Sequence, residues 1–295
     1  MDSEVSAEEQ LFQATTAGNG AAVARLLRLP HLNVNWGEEY YDRTALIRAC
    51  FKGHADIVRM LLADPRVDVN RAQNQGATPL NIACQYQQLE VVKLLLADPR
   101  VDVNIPNDRL GTPFFYACNK MNLEIVRAMV AHPRLNVNQA TETSITPFMA
   151  VCEGDSEELK MELFQVPSLD LEAANLKGET ALHICMLNPD PPTRFTELLI
   201  NHPAVDVNHL AVRGMTPVFA AARAGNFKCL QLLIASGKDL DLNAGWFNAK
   251  PRLSLKVKDL LDRYQENKPR TVFQERLGLD ATGSFPFPSL CVFSS

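Results

Sequence analysis

The ten residues LLADPRVDVN occur twice without change, as residues 61–70 and 95–104, at an offset of 34. A chain that repeats a phrase builds the same local unit again, and the copies must then pack on one another. The register extends far beyond the phrase. Its closing Asn recurs at Asn35, Asn70, Asn104, Asn138, Asn208 and Asn243, with Glu172 in the remaining slot. A threonine recurs at Thr44, Thr78, Thr112, Thr146, Thr180 and Thr216, at spacings of 34, 34, 34, 34 and 36. These spacings predict a solenoid of equivalent units rather than a duplicated pair.

Each unit reads the same way physically. In GATPLNIACQYQQLEVVKLLLADPRVDVN, Gly76 permits a tight turn, Thr78 caps a helix and Pro79 suits the first helical position. Leu80, Ala83 and Cys84 then fall on one face at helical spacing. A second helix runs from Glu90 to Ala97 with Val91, Leu94 and Leu95 inward, and Pro99 helps to end it. VDVN leads out in extended form. Helices this short are marginal alone, because nucleation costs more than so few hydrogen bonds return. Each unit is therefore incomplete without its neighbour.

The stretches TPLNIAC, TALHIC and KGHADIV, with the recurrent DVN, resemble the ankyrin repeat over about residues 9–265. The resemblance implies an all-α fold, an ankyrin-repeat solenoid of stacked helix-turn-helix units with extended turns, or fingers. Repeats start near residues 9, 40, 74, 108, 142, 176 and 212, and a charged closing helix covers about 250–265. Residues 1–8 form an acidic extension, and residues 266–295 a flexible or back-packed tail. The family's usual His, three residues after Thr, survives as His183, while Ile47, Asn81, Phe115, Met149 and Phe219 replace it. The resemblance assigns turn-bracing hydrogen bonds to His54 and His183. The two extra residues of the sixth unit fall around residues 188–192 and imply a longer turn there.

Net charge of −5 gives no basic field for nucleic acid, and the apolar runs are too interrupted by charge to span a bilayer. The start, MDSEVSAEEQ, has no secretory character, so a cytoplasmic protein is expected, with the nucleus also compatible. Cys50, Cys84, Cys118 and Cys152 recur every 34 residues and Cys185 follows at 33. Stacked helices sit ~8–10 Å apart, too far for disulfides, so these thiols are expected to be core packing and not a metal ladder. No nucleophile elbow, phosphate loop or metal-ligand spacing occurs, so no catalytic residue, metal or cofactor is expected.

What remains is surface. In ankyrin repeats the partner-binding face is concave, formed by the turn before Thr and the outer side of the first helix. The positions four, three and one before Thr, and seven and eight after it, vary between units. They hold Tyr40, Tyr41, Arg43, Phe51 and Lys52; then Asn74, Gln75, Ala77, Gln85 and Tyr86; then Asp108, Arg109, Gly111, Asn119 and Lys120. Later units offer Glu142 and Glu153, Lys177 and Glu179, and Arg213 and Arg223. Aromatic and Arg side chains, enriched in binding hot spots, concentrate in the N-terminal half. The expected contact set is Tyr40, Tyr41, Arg43, Phe51, Lys52, Gln75, Tyr86, Arg109 and Lys120, acting from a monomer on a protein partner. The resemblance also implies asparagine hydroxylation at Asn35, Asn70 and Asn104, each with Leu eight residues earlier. Arg276, Leu277, Gly278 and the run 285–290 (FPFPSL) faintly resemble the end of a SOCS box, which implies a ubiquitin-ligase adaptor as the alternative function.

Overall fold

The computed structural model describes residues 5–188, 193–242 and 254–266. They form two compact units, Met1–Leu169 and Asp170–Ser295. The only regular secondary structure among the described residues is helical. The first unit holds five helix pairs: α1 (Ala7–Thr16) and α2 (Gly20–Leu27); α3 (Ala45–Lys52) and α4 (Ala55–Leu62); α5 (Pro79–Gln85) and α6 (Leu89–Ala97); α7 (Pro113–Asn119) and α8 (Leu123–Val130); α9 (Pro147–Glu153) and α10 (Glu157–Phe164). The second unit holds α11 (Ala181–Leu187) and α12 (Thr193–Asn201), α13 (Pro217–Ala224) and α14 (Phe227–Ala235), and the closing α15 (Leu255–Glu266). First helices stack on first helices, α1 on α3 on α5 on α7 on α9. Second helices do likewise, α2 on α4 on α6 on α8 on α10. In the second unit α11 packs on α13 and α12 on α14.

The register threonines start the first helices. Thr44, Thr112 and Thr146 accept the N–H three residues on at 3.2, 3.0 and 3.2 Å, and Thr216 does so at 3.3 Å. Asparagine or serine does the same for several second helices, at Asn19, Asn122, Ser156 and Asn226. Burial follows the helical stripe. Leu61, Leu95, Met129 and Leu163 are fully buried along the second-helix seam of the first unit, and Leu199 and Leu233 hold the matching positions in the second.

The repeated phrase has a second task, visible only in three dimensions. Among the described residues, the side chains of Asn35, Asn70, Asn104, Asn138 and Asn208 reach the turn that follows one repeat on. Asn70 Nδ2 donates to the Arg100 carbonyl at 2.8 Å while its Oδ1 accepts from Asp102 N–H at 2.9 Å. Asn35, Asn104 and Asn208 repeat both bonds. The Arg of ADPR reaches the other way. Arg100 pairs with Asp98 at 2.6 Å and donates to the Leu62 carbonyl at 2.7 Å, and Arg66 likewise pairs with Asp64 and donates to the Leu27 carbonyl. These hydrogen bonds hold the pKa of both aspartates below the ordinary range. The phrase is a latch as well as a core segment.

Glu172 occupies the Asn slot at the start of the second unit and makes half of the rung. Its Oε1 accepts from Asp206 N–H at 3.2 Å, but an ionised carboxylate has no proton to donate. Burial raises its pKa, and the charges of Asp206 and Asp170 push the same way, against the pull of the Asp206 N–H and of His209 at 3.6 Å. A carboxyl group whose pKa is raised on folding weakens the fold once pH rises above its unfolded value. Glu172→Asn, which restores a donor, is therefore expected to stabilise the protein near neutral pH by ~1 kcal/mol. The gain should shrink as pH falls through the raised pKa toward the ordinary carboxylate range. Thermal melts showing an equal gain at pH ~4 and pH ~7 would rule out the charge as its cause.

Six cysteines, Cys50, Cys84, Cys118, Cys152, Cys185 and Cys229, are buried and form no disulfide. Cys84 Sγ lies 3.6 Å from Met129 Sδ, a packing contact. Burial pushes the Cys50 and Cys84 thiols far above the ordinary range and that of Cys229 up to about 12, which suppresses the thiolate that reacts. No group of three or more His, Cys, Asp or Glu able to hold a metal occurs among the described residues.

One expectation needs correction. His54 does not brace a turn through its ring. It makes no side-chain cap for α4, and its buried Nε2 has no hydrogen-bond partner among the described residues. The ring packs beneath Gly18, where an added Cβ would come within 3.2 Å of it. The closing helix runs over Leu255–Glu266, and residues 250–253 of the expected span lie outside the described residues. Val257, Leu260, Leu261 and Tyr264 form its inner face. Tyr264 Oη accepts from Leu240 N–H and donates to the Lys238 carbonyl, both at 3.3 Å.

Candidate partner-binding face

The variable positions of the first unit lie on the turns before each Thr and on the exposed ends of the first helices. The turns are laddered. Asn74 N–H donates to the Tyr41 carbonyl at 2.9 Å, Asp108 N–H to Gln75 at 3.0 Å and Glu142 N–H to Arg109 at 3.1 Å. Tyr41, Gln75 and Arg109 thus stand in register one repeat apart, on a rigid rail rather than on loose loops. Left-handed residues turn the chain at the tips, with Gln75 at φ 73° followed by Gly76 at φ 71°. Glu38 fixes the first tip, its carboxylate accepting the N–H groups of Tyr40 and Tyr41 at 2.9 and 3.0 Å.

Large aromatic side chains project from these turns and from the ends of the first helices. Tyr40 is 82% exposed, Tyr41 53% and Tyr86 45%. Phe51, half-buried near the end of α3, meets the Tyr86 ring edge-on at 4.4 Å, so one aromatic pair spans two repeats. Arg43 lies over the Tyr41 ring at 4.0 Å, and Lys52 is 5.7 Å from the Phe51 ring. Lys52, Gln75, Arg109 and Lys120 are exposed. The structure therefore joins Phe51 with Tyr86 and Lys52, and Tyr41 with Arg43; Arg109 and Lys120 stand on the following repeat.

Sequence reasoning missed part of this face. Arg48 lies 5.9 Å from the Phe12 ring and 5.2 Å from Phe51, and its Nε donates to Thr16 Oγ1 at 3.1 Å. It extends the cation–aromatic stack back to the first repeat, where Phe12 also meets Trp36 at 6.3 Å. Arg48 follows Thr44 by four residues, outside the variable positions, so only its side-chain path reveals it. Leu110 is also exposed, at 48%. In the other direction, Ala77 and Gly111 are buried, so in those two repeats the position before Thr is dictated by packing. A Cβ on Gly111 would crowd the Tyr116 ring at 3.1 Å.

Asn35, Asn70 and Asn104 are half-buried, with both ends of each amide engaged by the next repeat. A modifying enzyme would have to peel that turn away to reach them. The SOCS-box-like run and the tail lie outside the described residues.

This geometry, paired helices with laddered turns, agrees with the comparison to known families. The family model described as ankyrin repeats (3 copies) matches residues 11–107 and 148–244, and the chain belongs to the ankyrin-repeat family. Such repeats are protein-interaction modules, typically non-catalytic. Among curated proteins the chain is similar to SMC5-SMC6 complex localization factor protein 1 of Mus musculus, 33% identical over 78 residues. The same protein from Bos taurus and from Homo sapiens is 34% identical over 77 residues. Each match covers 26% of this chain and 7% of the relative, so the chain spans a small part of those proteins. No helix among the described residues is long and apolar enough to cross a membrane.

Proposed function

We propose that the chain is a non-catalytic scaffold that binds a protein partner on the aromatic face of its N-terminal unit. The observation that carries this reading is the exposure of Tyr40 and Tyr41 on a hydrogen-bonded rail of turns and of Tyr86 at the end of α5. Isolated exposed apolar residues are ordinary, but three exposed rings in one unit, one of them packed on Phe51, with Arg43 and Arg109 on the turns, have a hot-spot composition. Because the rail is preformed, little ordering opposes association. Phe51, Lys52, Gln75 and Lys120 complete the contact set. Kinship over 26% of the chain with localization factors of the SMC5-SMC6 complex supports a recruiting role and makes a nuclear site of action as reasonable as a cytoplasmic one.

The test is site-specific photo-crosslinking of the full chain in native cell extract. A benzophenone amino acid in place of Tyr40 is expected to trap one discrete polypeptide. The same group in place of Glu90, exposed on the second helix, should trap none. Equal trapping from both sites would mean that the partner does not select this face.

A further inference from the structure

The second unit carries a site of different chemistry. A pocket of about 710 Å³, open to solvent, lies between its two turns and the ends of α11 and α13. Lys177, Arg213 and Arg223 stand around it, and Leu187, Val212 and Met215 give it an apolar lining. The one carboxylate there, Glu179, is already engaged, since its Oε2 accepts from Asn175 Nδ2 at 2.9 Å. None of the three cations has an ion pair or side-chain hydrogen bond among the described residues. The first unit treats several of its arginines otherwise: Arg66, Arg71, Arg100 and Arg127 each have a carboxylate within 3.4 Å.

The cations are held in place by the backbone. Asn175 Oδ1 accepts the N–H groups of Lys177 and Glu179 at 2.8 and 3.0 Å, closing one turn. Val212 N–H donates to the Lys177 carbonyl at 2.8 Å, tying the next turn to it. Gly178, at φ 70°, lets the two approach, since a Cβ there would lie 3.0 Å from Ala211 Cα. Arg213 sits at φ 64° on the second tip, a left-handed position that costs a side-chain-bearing residue free energy and fixes where its guanidinium starts. Arg223 faces them from the last turn of α13. Beside the pocket, Leu176, Leu210 and Val212 are 68%, 57% and 57% exposed.

Three unpaired cations against one occupied carboxylate favour an anionic occupant. The apolar lining and exposed aliphatic rim favour one that also carries a hydrophobic side chain. We propose that this pocket is a second docking site for an acidic peptide segment of a partner protein. Its carboxylates pair with Lys177, Arg213 and Arg223, and one apolar side chain rests on Leu187, Val212 and Met215. Arg supplies forked donors matched to carboxylates, while the lining excludes water beneath them. The site is independent of the aromatic face.

The experiment is fluorescence anisotropy on the full chain, with a short labelled peptide of glutamates around a single leucine as probe. Saturable binding that weakens as salt rises is expected. Arg213→Glu with Arg223→Glu should weaken it at least tenfold without shifting the thermal melt or the crosslink from position 40. Serine in place of the peptide's leucine should weaken it severalfold, and Arg43→Glu with Arg109→Glu should leave it unchanged. Absence of saturable binding, or wild-type affinity in the Arg213/Arg223 variant, overturns the proposal. So does equal loss from the Arg43/Arg109 variant, or a uridine oligonucleotide of the same charge competing as well as the peptide.

Discussion

Leu95→Ala is expected to destabilise the protein by ~2–5 kcal/mol, the range for emptying a leucine site in a packed core. Leu95 is fully buried in α6, on the seam it shares with Leu61 of α4 and Met129 of α8. Truncation there removes transfer free energy and leaves a cavity whose walls belong to three repeats, so neither neighbour can close on it alone. Stacked repeats draw much of their stability from interfaces with adjacent repeats, so the loss should spread to both of them. Native-state hydrogen exchange should show α4 and α8 losing protection along with α6. Thr78→Ala is a milder change of ~1 kcal/mol by its cap alone. A urea melt of Leu95→Ala that superimposes on wild type would falsify the register that places Leu95 in the second-helix seam.

That register was legible in sequence because it is written by packing. A residue that must fill the same hole in each repeat recurs at the same offset, and Leu61 and Leu95 do. The caps were legible for the same reason, since a helix N-terminus needs a side-chain acceptor wherever it starts. Side chains that solve one problem in different ways were harder to read. Asn81 replaces the family's His and does its work. Its Oδ1 accepts from Thr78 N–H at 2.9 Å, and its Nδ2 donates to the Gly111 carbonyl of the next repeat at 3.2 Å. His183 makes the same bridge, with Nδ1 beside the Thr180 amide at 3.3 Å and Nε2 at 2.9 Å from the Met215 carbonyl. A carbonyl only accepts, so Nε2 carries the proton, and burial lowers the pKa of this ring. His54 has the residue type without that hydrogen-bond role. Lys160 was not foreseen at all. At 1% exposure it takes the seam position of Val58, Val92 and Val126, its apolar stem filling volume that valine fills elsewhere. The aromatic face was half legible. Its members sit where the repeats disagree, but the Phe12–Arg48–Phe51 stack depends on side-chain paths that no periodicity encodes.

The face yields the second large effect. Once a partner is in hand, Tyr41→Ala with Tyr86→Ala is expected to weaken it at least tenfold, since a true hot-spot truncation costs ~2 kcal/mol or more. Both rings are exposed, at 53% and 45%, so their loss should change the melting curve little. Phe51→Ala is a less clean probe. That ring is half-buried against Tyr86 at 4.4 Å, and its removal would perturb the fold and the face together. Glu142 and Glu153, exposed on the fifth repeat, provide the contrast. As isolated surface charges they are screened and desolvated at little gain, so Glu142→Ala with Glu153→Ala should change affinity by less than about threefold. Titration calorimetry on the two double variants decides between them. Should the acidic pair carry the affinity and the aromatic pair be silent, the partner lies further along the repeats, and the exposed tyrosines need another explanation.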